Sequence, residues 1–132
     1  MSARILIVED EMLVAFELEN ILEDLGHEPV GIVPDLEAAE AYFEEAIDLA
    51  LVDLNLRDGL TGPQIGARLG ANGTSVVFIT ANPGLLERRV AGAIGVITKP
   101  TDEQTVKAAV DYALGRRQGR PVSPPAALRL FA

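Results

Sequence analysis

The sequence predicts a doubly wound α/β domain, a five-stranded parallel sheet covered on both faces by five helices, and three observations carry that expectation. Five short, mostly β-branched apolar runs recur along the chain, each is followed by a stretch of helical spacing, and the conspicuous acidic and hydroxyl residues stand directly after the runs. Repeated βα alternation of this kind places right-handed crossovers on the two faces of a parallel sheet.

The first run, Ile5–Val8, meets Glu9-Asp10-Glu11, and helical spacing then covers 11–25. Centred on Leu18, the buried stripe of that helix takes Val14, Ile21, Leu22 and Leu25, while Leu13 and Phe16 fall on the opposite side near Asn20 and Glu23. Gly26 suits a helix end, and His27, the lone histidine, stands where a cation is favourable and has no second His or Cys to share a metal, so a structural role is expected. Val30–Val33 and Leu49–Val52 are the next strands, with a helix over 35–45 between them. A helix over 62–69 leads to the strand Val76–Ile79. The following helix, roughly 84–91, should be short because Asn82-Pro83-Gly84 opens with helix breakers. Ile94–Ile97 and a helix over 102–114 complete the pattern. Residues 1–116 therefore read as one domain and 117–132 as an irregular basic and apolar tail broken by Gly119, Pro121, Pro124 and Pro125. Its end, Leu128-Arg129-Leu130-Phe131, can fray in solvent or dock on the domain or on a second chain.

Charge is distributed unevenly. All 20 acidic residues lie at or before Asp111 with seven of the 11 basic ones, so residues 1–111 carry −13 and residues 112–132 carry +4. No basic residue occurs between Arg4 and Arg57, which argues against nucleic-acid binding. The absence of cysteine removes disulfides and thiolate metal sites and is compatible with a reducing, cytoplasmic setting. The apolar start is too short for a signal peptide or a membrane span.

In a doubly wound sheet the functional crevice forms outside the carboxyl ends of the strands. There the chain carries Glu9-Asp10, Asp53, Thr80 and Lys99-Pro100. Carboxylates gathered from two strands repel one another and resist desolvation unless a cation joins them. Mg²⁺, which prefers oxygen ligands and retains waters, suits such a set. Lys99 supplies a charge, and Thr80 a hydroxyl, for phosphoryl oxygens. Asp48 and Asp58 are turn polars, whereas Asp53 directly follows an apolar strand and reads as functional. No phosphate-cradling glycine loop is present, so a phosphoryl group must come from a partner or a small donor.

Ile5-Leu-Ile-Val-Glu-Asp10, Leu51-Val-Asp-Leu-Asn55, Phe78-Ile-Thr-Ala81 and Thr98-Lys-Pro100 together resemble the signatures of bacterial response-regulator receiver domains, over roughly residues 3 to 115. The finer resemblance is to stand-alone receivers of alphaproteobacterial stress and light responses. It implies a CheY-like, flavodoxin-like strand order 2-1-3-4-5. It also implies Asp53 as phosphoacceptor, Mg²⁺ held by Glu9, Asp10, Asp53 and the Asn55 carbonyl, and Thr80 and Lys99 on the phosphoryl group. The Lys99-Pro100 bond is then expected to be cis. Val96 stands where the family often has an aromatic switch residue.

The expected function is phosphoryl transfer from a phosphohistidine of a sensor histidine kinase or histidine phosphotransfer protein onto Asp53, followed by hydrolysis. That is self-phosphorylation and autodephosphorylation rather than turnover of a substrate. Leu13 and Phe16 would form the docking patch for the donor. With no room for an effector domain, output would pass through protein contacts as a shuttle, phosphate sink or allosteric partner, a homodimer included. Two rivals are a pseudo-receiver that binds without phosphoryl turnover and a haloacid-dehalogenase-type phosphohydrolase. The latter wants a second Asp where this chain has Asn55, and the retained Asp53, Thr80 and Lys99 argue against the former.

Overall fold

The computed structural model describes residues 2–85, 90 and 92–131. The strands are β1 (Arg4–Val8), β2 (Glu28–Val33), β3 (Leu49–Val52), β4 (Ser75–Thr80), β5 (Ala93–Thr98) and β6 (Leu128–Leu130), in the spatial order β2-β1-β3-β4-β5-β6. The first five are parallel, in the order expected; β6 runs antiparallel to β5. The α-helices are α1 (Met12–Asp24), α2 (Leu36–Ala39), α3 (Gly62–Ala71) and α4 (Glu103–Arg117).

Alternate residues of the sheet feed two cores. One face, with Ile5, Ile7, Leu51 and Ile79, packs under α1 and α4; the other, with Leu6, Val8, Val52 and Phe78, packs under α2 and α3. The central strands β1 and β3 are buried on both faces, which is why their sequences are unbroken apolar runs rather than alternating ones.

Three expectations change. The second helix is a single α turn followed by a 3-10 turn (Glu40–Tyr42) instead of a helix to residue 45. Tyr42 lies across β2 at Gly31, where a Cβ would strike its hydroxyl, and the adjacent Phe43 is buried in the same core cluster. The helix expected near 84–91 falls largely outside the described residues, which show a 3-10 turn at Pro83–Leu85. The tail expected to be irregular supplies a sixth strand, so among the described residues there are six strands with four α-helices rather than five and five. Leu128 is buried against the α1/α4 core and Phe131 packs on the other face, 6.4 Å from Phe78 in an edge-on arrangement. Apolar residues on both faces of the tail thus offset the cost of ordering it.

Candidate functional site

Asp53 follows the last residue of β3, Glu9 and Asp10 follow β1, Thr80 ends β4 and Lys99 follows β5. The parallel register Val8↔Val52↔Phe78 brings these strand ends to one edge of the sheet. Asp10, Asp53, Asn55, Thr80 and Lys99 line a cleft of about 290 Å³, together with Glu11, Leu56, Ala81 and Asn82.

Lys99 is the hub. Its ammonium donates to Glu9 Oε1 at 2.6 Å and to Asp53 Oδ2 at 2.8 Å, with Glu11 3.8 Å away. Asp53 Oδ1 accepts from the Leu54 N–H at 2.7 Å, so the phosphoacceptor candidate is held from both oxygens. Glu9 is 2 % exposed. Burial pushes its carboxyl up to about 6, against the pull of the Lys99 hydrogen bond, the Glu11 N–H and the Lys99 charge. Burial also disfavours the Lys99 ammonium, but its hydrogen bonds to Asp53 and Glu9 outweigh that and hold the Lys99 pKa above its ordinary value. Thr80 is buried with its hydroxyl accepting from the Asn82 N–H at 3.1 Å. The Lys99-Pro100 peptide bond is cis, as expected.

Asp10 does not cap α1. The N-cap residue is Glu11, with no side-chain capping bond, which leaves the Asp10 carboxylate facing the cleft. Oxygens of Glu9, Asp10, Glu11 and Asp53 all lie within 4.8 Å of one another. A hard, oxygen-only donor set of this charge fits Mg²⁺ on chemical grounds. Glu11 joins three of the four expected ligand residues here, as their neighbour. Its sequence position at the head of a helix gave no reason to single it out, although three successive acids after a strand were a signal in themselves.

Further residues shape the site without having been foreseen in that role. Gly62 begins α3 directly against the Asp53 backbone: a Cβ there would run into the Asp53 carbonyl oxygen and lie 2.5 Å from Leu54 Cα. Asp35 accepts from the Ala38 N–H at 2.9 Å and from Arg57 Nε at 2.7 Å, and Asp58 accepts from the Leu36 N–H at 3.0 Å. These bonds staple the loop after Asp53 to the start of α2. They hold both carboxyls below the usual carboxylate range, Asp35 chiefly through Ala38 and Asp58 chiefly through Thr61.

Leu13 is 85 % exposed and Phe16 49 %, on the side of α1 opposite its buried Ala15, Leu18, Ile21 and Leu22. Val96 is buried in β5. His27 is structural, but not as a cation: its Nδ1 accepts from the Ala3 N–H at 3.1 Å, and burial lowers its pKa. No described helix is long and apolar enough to cross a membrane.

The chain matches the response regulator receiver domain model over residues 5–111. It is 35% identical over 121 residues to the phyllosphere-induced regulator PhyR of Methylorubrum extorquens, covering 86% of this chain and 44% of that protein. The response regulator PhyR of Brucella abortus superposes with a TM-score of 0.79 at 36% identity, over 90% of this chain and 50% of that one. The receiver domain of Erythrobacter litoralis PhyR gives a TM-score of 0.72 at 33% identity, over 95% and 96%. The chain thus spans about half the length of the curated relatives it matches.

Proposed function

Because this chain belongs to the response regulator receiver domain family, we propose that it accepts a phosphoryl group on Asp53 from a partner phosphohistidine and passes the signal on by protein contacts. The observation that carries this reading is the Lys99 ammonium shared between Asp53 and Glu9 at the mouth of an acidic cleft. It aligns one carboxylate oxygen and supplies the positive charge that an arriving phosphoryl oxygen needs.

Glu9, Asp10, Asp53 and the Asn55 carbonyl would hold Mg²⁺, with Glu11 beside them. When bound, the ion supplies charge neutralisation for the phosphoryl oxygens and for the crowded carboxylates. Asp53 Oδ2 is the attacking oxygen, because its partner, the Lys99 ammonium, can move to a phosphoryl oxygen, whereas Oδ1 is held by the Leu54 backbone N–H. As the P–N bond to the donor imidazole breaks, the bond between Asp53 Oδ2 and phosphorus forms. Lys99 then moves its hydrogen bond from Asp53 to a phosphoryl oxygen, and Thr80 exchanges its role as acceptor from Asn82 for one as donor to another. Hydrolysis later returns the carboxylate and releases inorganic phosphate. The donor is a sensor histidine kinase or a histidine phosphotransfer protein, with Leu13 and Phe16 as the docking patch and the cytoplasm as the setting.

The deciding experiment is intact-mass measurement after incubation with acetyl phosphate. One phosphoryl group adds in the presence of Mg²⁺, none in EDTA, and none to Asp53→Asn; labelling of that variant at the wild-type level would overturn the assignment.

A further inference from the structure

We propose that the outer edge of β5 is a docking edge for an extended basic–apolar segment of a partner protein, and that residues 128–131 of this chain are its resident, exchangeable occupant. The seat is shaped for such a segment. Ile97, Val96 and Gly95 pair with Leu128, Arg129 and Leu130, and the Phe131 N–H donates to the Ile94 carbonyl at 3.1 Å. Leu128 enters the core between the sheet and α4, and Phe131 closes on Phe78 from the opposite face. Gly95 makes the approach possible, because a Cβ there would meet the Arg129 carbonyl oxygen. The segment therefore reads as aliphatic, basic, aliphatic, aromatic, with its two anchors on opposite faces of the sheet.

Charge complementarity selects the same chemistry. Residues 1–111 carry −13 and residues 112–132 carry +4, so a basic segment is drawn to this domain where an acidic one is repelled. Exchange is built into the connection. Three paired residues are joined to α4 by residues 118–127, which form neither helix nor strand and contain Pro121, Pro124 and Pro125. Three paired residues and two anchors hold the resident strand, a short pairing that a competing segment of the same chemistry can replace. Main-chain pairing supplies affinity at a sheet edge and the anchors supply specificity.

The test uses a fluorescent peptide with the sequence of residues 121–132 and the full chain carrying Leu128→Asp with Phe131→Asp, which frees the edge. Anisotropy should show saturable binding to that variant. Binding to the wild type should be weaker by on the order of tenfold or more, because the tethered tail competes at high effective concentration. Adding Gly95→Val to the double variant should abolish binding, and a peptide with Arg129→Glu should bind more weakly. A folded double variant that ignores the peptide, equal binding to variant and wild type, or a double variant that dimerises in sedimentation without taking the peptide would each overturn the proposal. Should the double variant unfold, hydrogen exchange on the wild type decides. Excess unlabelled peptide should speed exchange of the chain's own Phe131 amide, and unchanged protection defeats the idea.

Discussion

Lys99 donates to Asp53 across 2.8 Å although the two residues lie 46 positions apart in the chain. The same ammonium reaches Glu9 at 2.6 Å, so in the metal-free protein one partly buried cation compensates two buried carboxylates.

Removal of that cation should therefore be felt before any chemistry occurs. Lys99→Ala is expected to destabilise the metal-free chain by on the order of 3 kcal/mol, because Glu9 and Asp53 are left facing each other without a countercharge. Mg²⁺ should then stabilise the variant more than the wild type. Urea unfolding with and without Mg²⁺ measures both, and equal increments from Mg²⁺ in the two proteins would show that Lys99 does not stand in for the ion.

Gly62 offers a test of backbone placement. In Gly62→Ala the new methyl must displace the Asp53 carbonyl or the Leu54 backbone, with a cost of roughly 1–3 kcal/mol. Because the displaced group is the phosphoacceptor's own backbone, acetyl-phosphate labelling should slow as well. A variant of wild-type stability and labelling rate would mean that α3 can retreat freely.

Docking and chemistry can be separated at α1. Leu13→Ala with Phe16→Ala should slow transfer from the cognate phosphohistidine donor while leaving labelling by acetyl phosphate unchanged, since the small donor bypasses protein contact. Stability should change by less than about 1 kcal/mol, because Leu13 is largely in solvent and Phe16 is only half-buried. An equal fall in both reactions would place these residues in the fold rather than in a docking surface.

His27 gives the chain a pH dependence of definite sign. Burial lowers its pKa below the usual 6.5, and its neutral Nδ1 accepts from the Ala3 N–H. The unfolded chain therefore binds the proton more readily, so this contribution to stability is fully present above pH 6.5 and is lost as pH falls through the lowered value. His27→Gln should flatten the stability profile on the acid side of 6.5 by at most about 1.4 kcal/mol per pH unit. Parallel profiles of variant and wild type in urea titrations would remove His27 from the account.

The sequence by itself determined the order of the first five strands' elements and the residues at their carboxyl ends. Those signals are local: apolar runs such as Ile5–Val8 and Leu49–Val52 can only be strands buried on both faces, and a polar residue directly after such a run must emerge at the sheet edge. It also placed Leu13 and Phe16 on the outer side of α1, since helical periodicity needs no knowledge of the partner elements. What the tertiary structure alone decided depends on residues far apart in the chain. The tail became β6 because the β5 edge has a glycine at position 95 and apolar ground on both faces, neither of which can be read from a proline-broken terminus. Gly62 matters because α3 begins on the Asp53 carbonyl, and Glu9 is driven up to about 6 because the fold buries it beside a lysine 90 positions away. Periodicity is written within a few residues, whereas burial, close backbone approach and charge pairing arise only when the strands have been brought side by side.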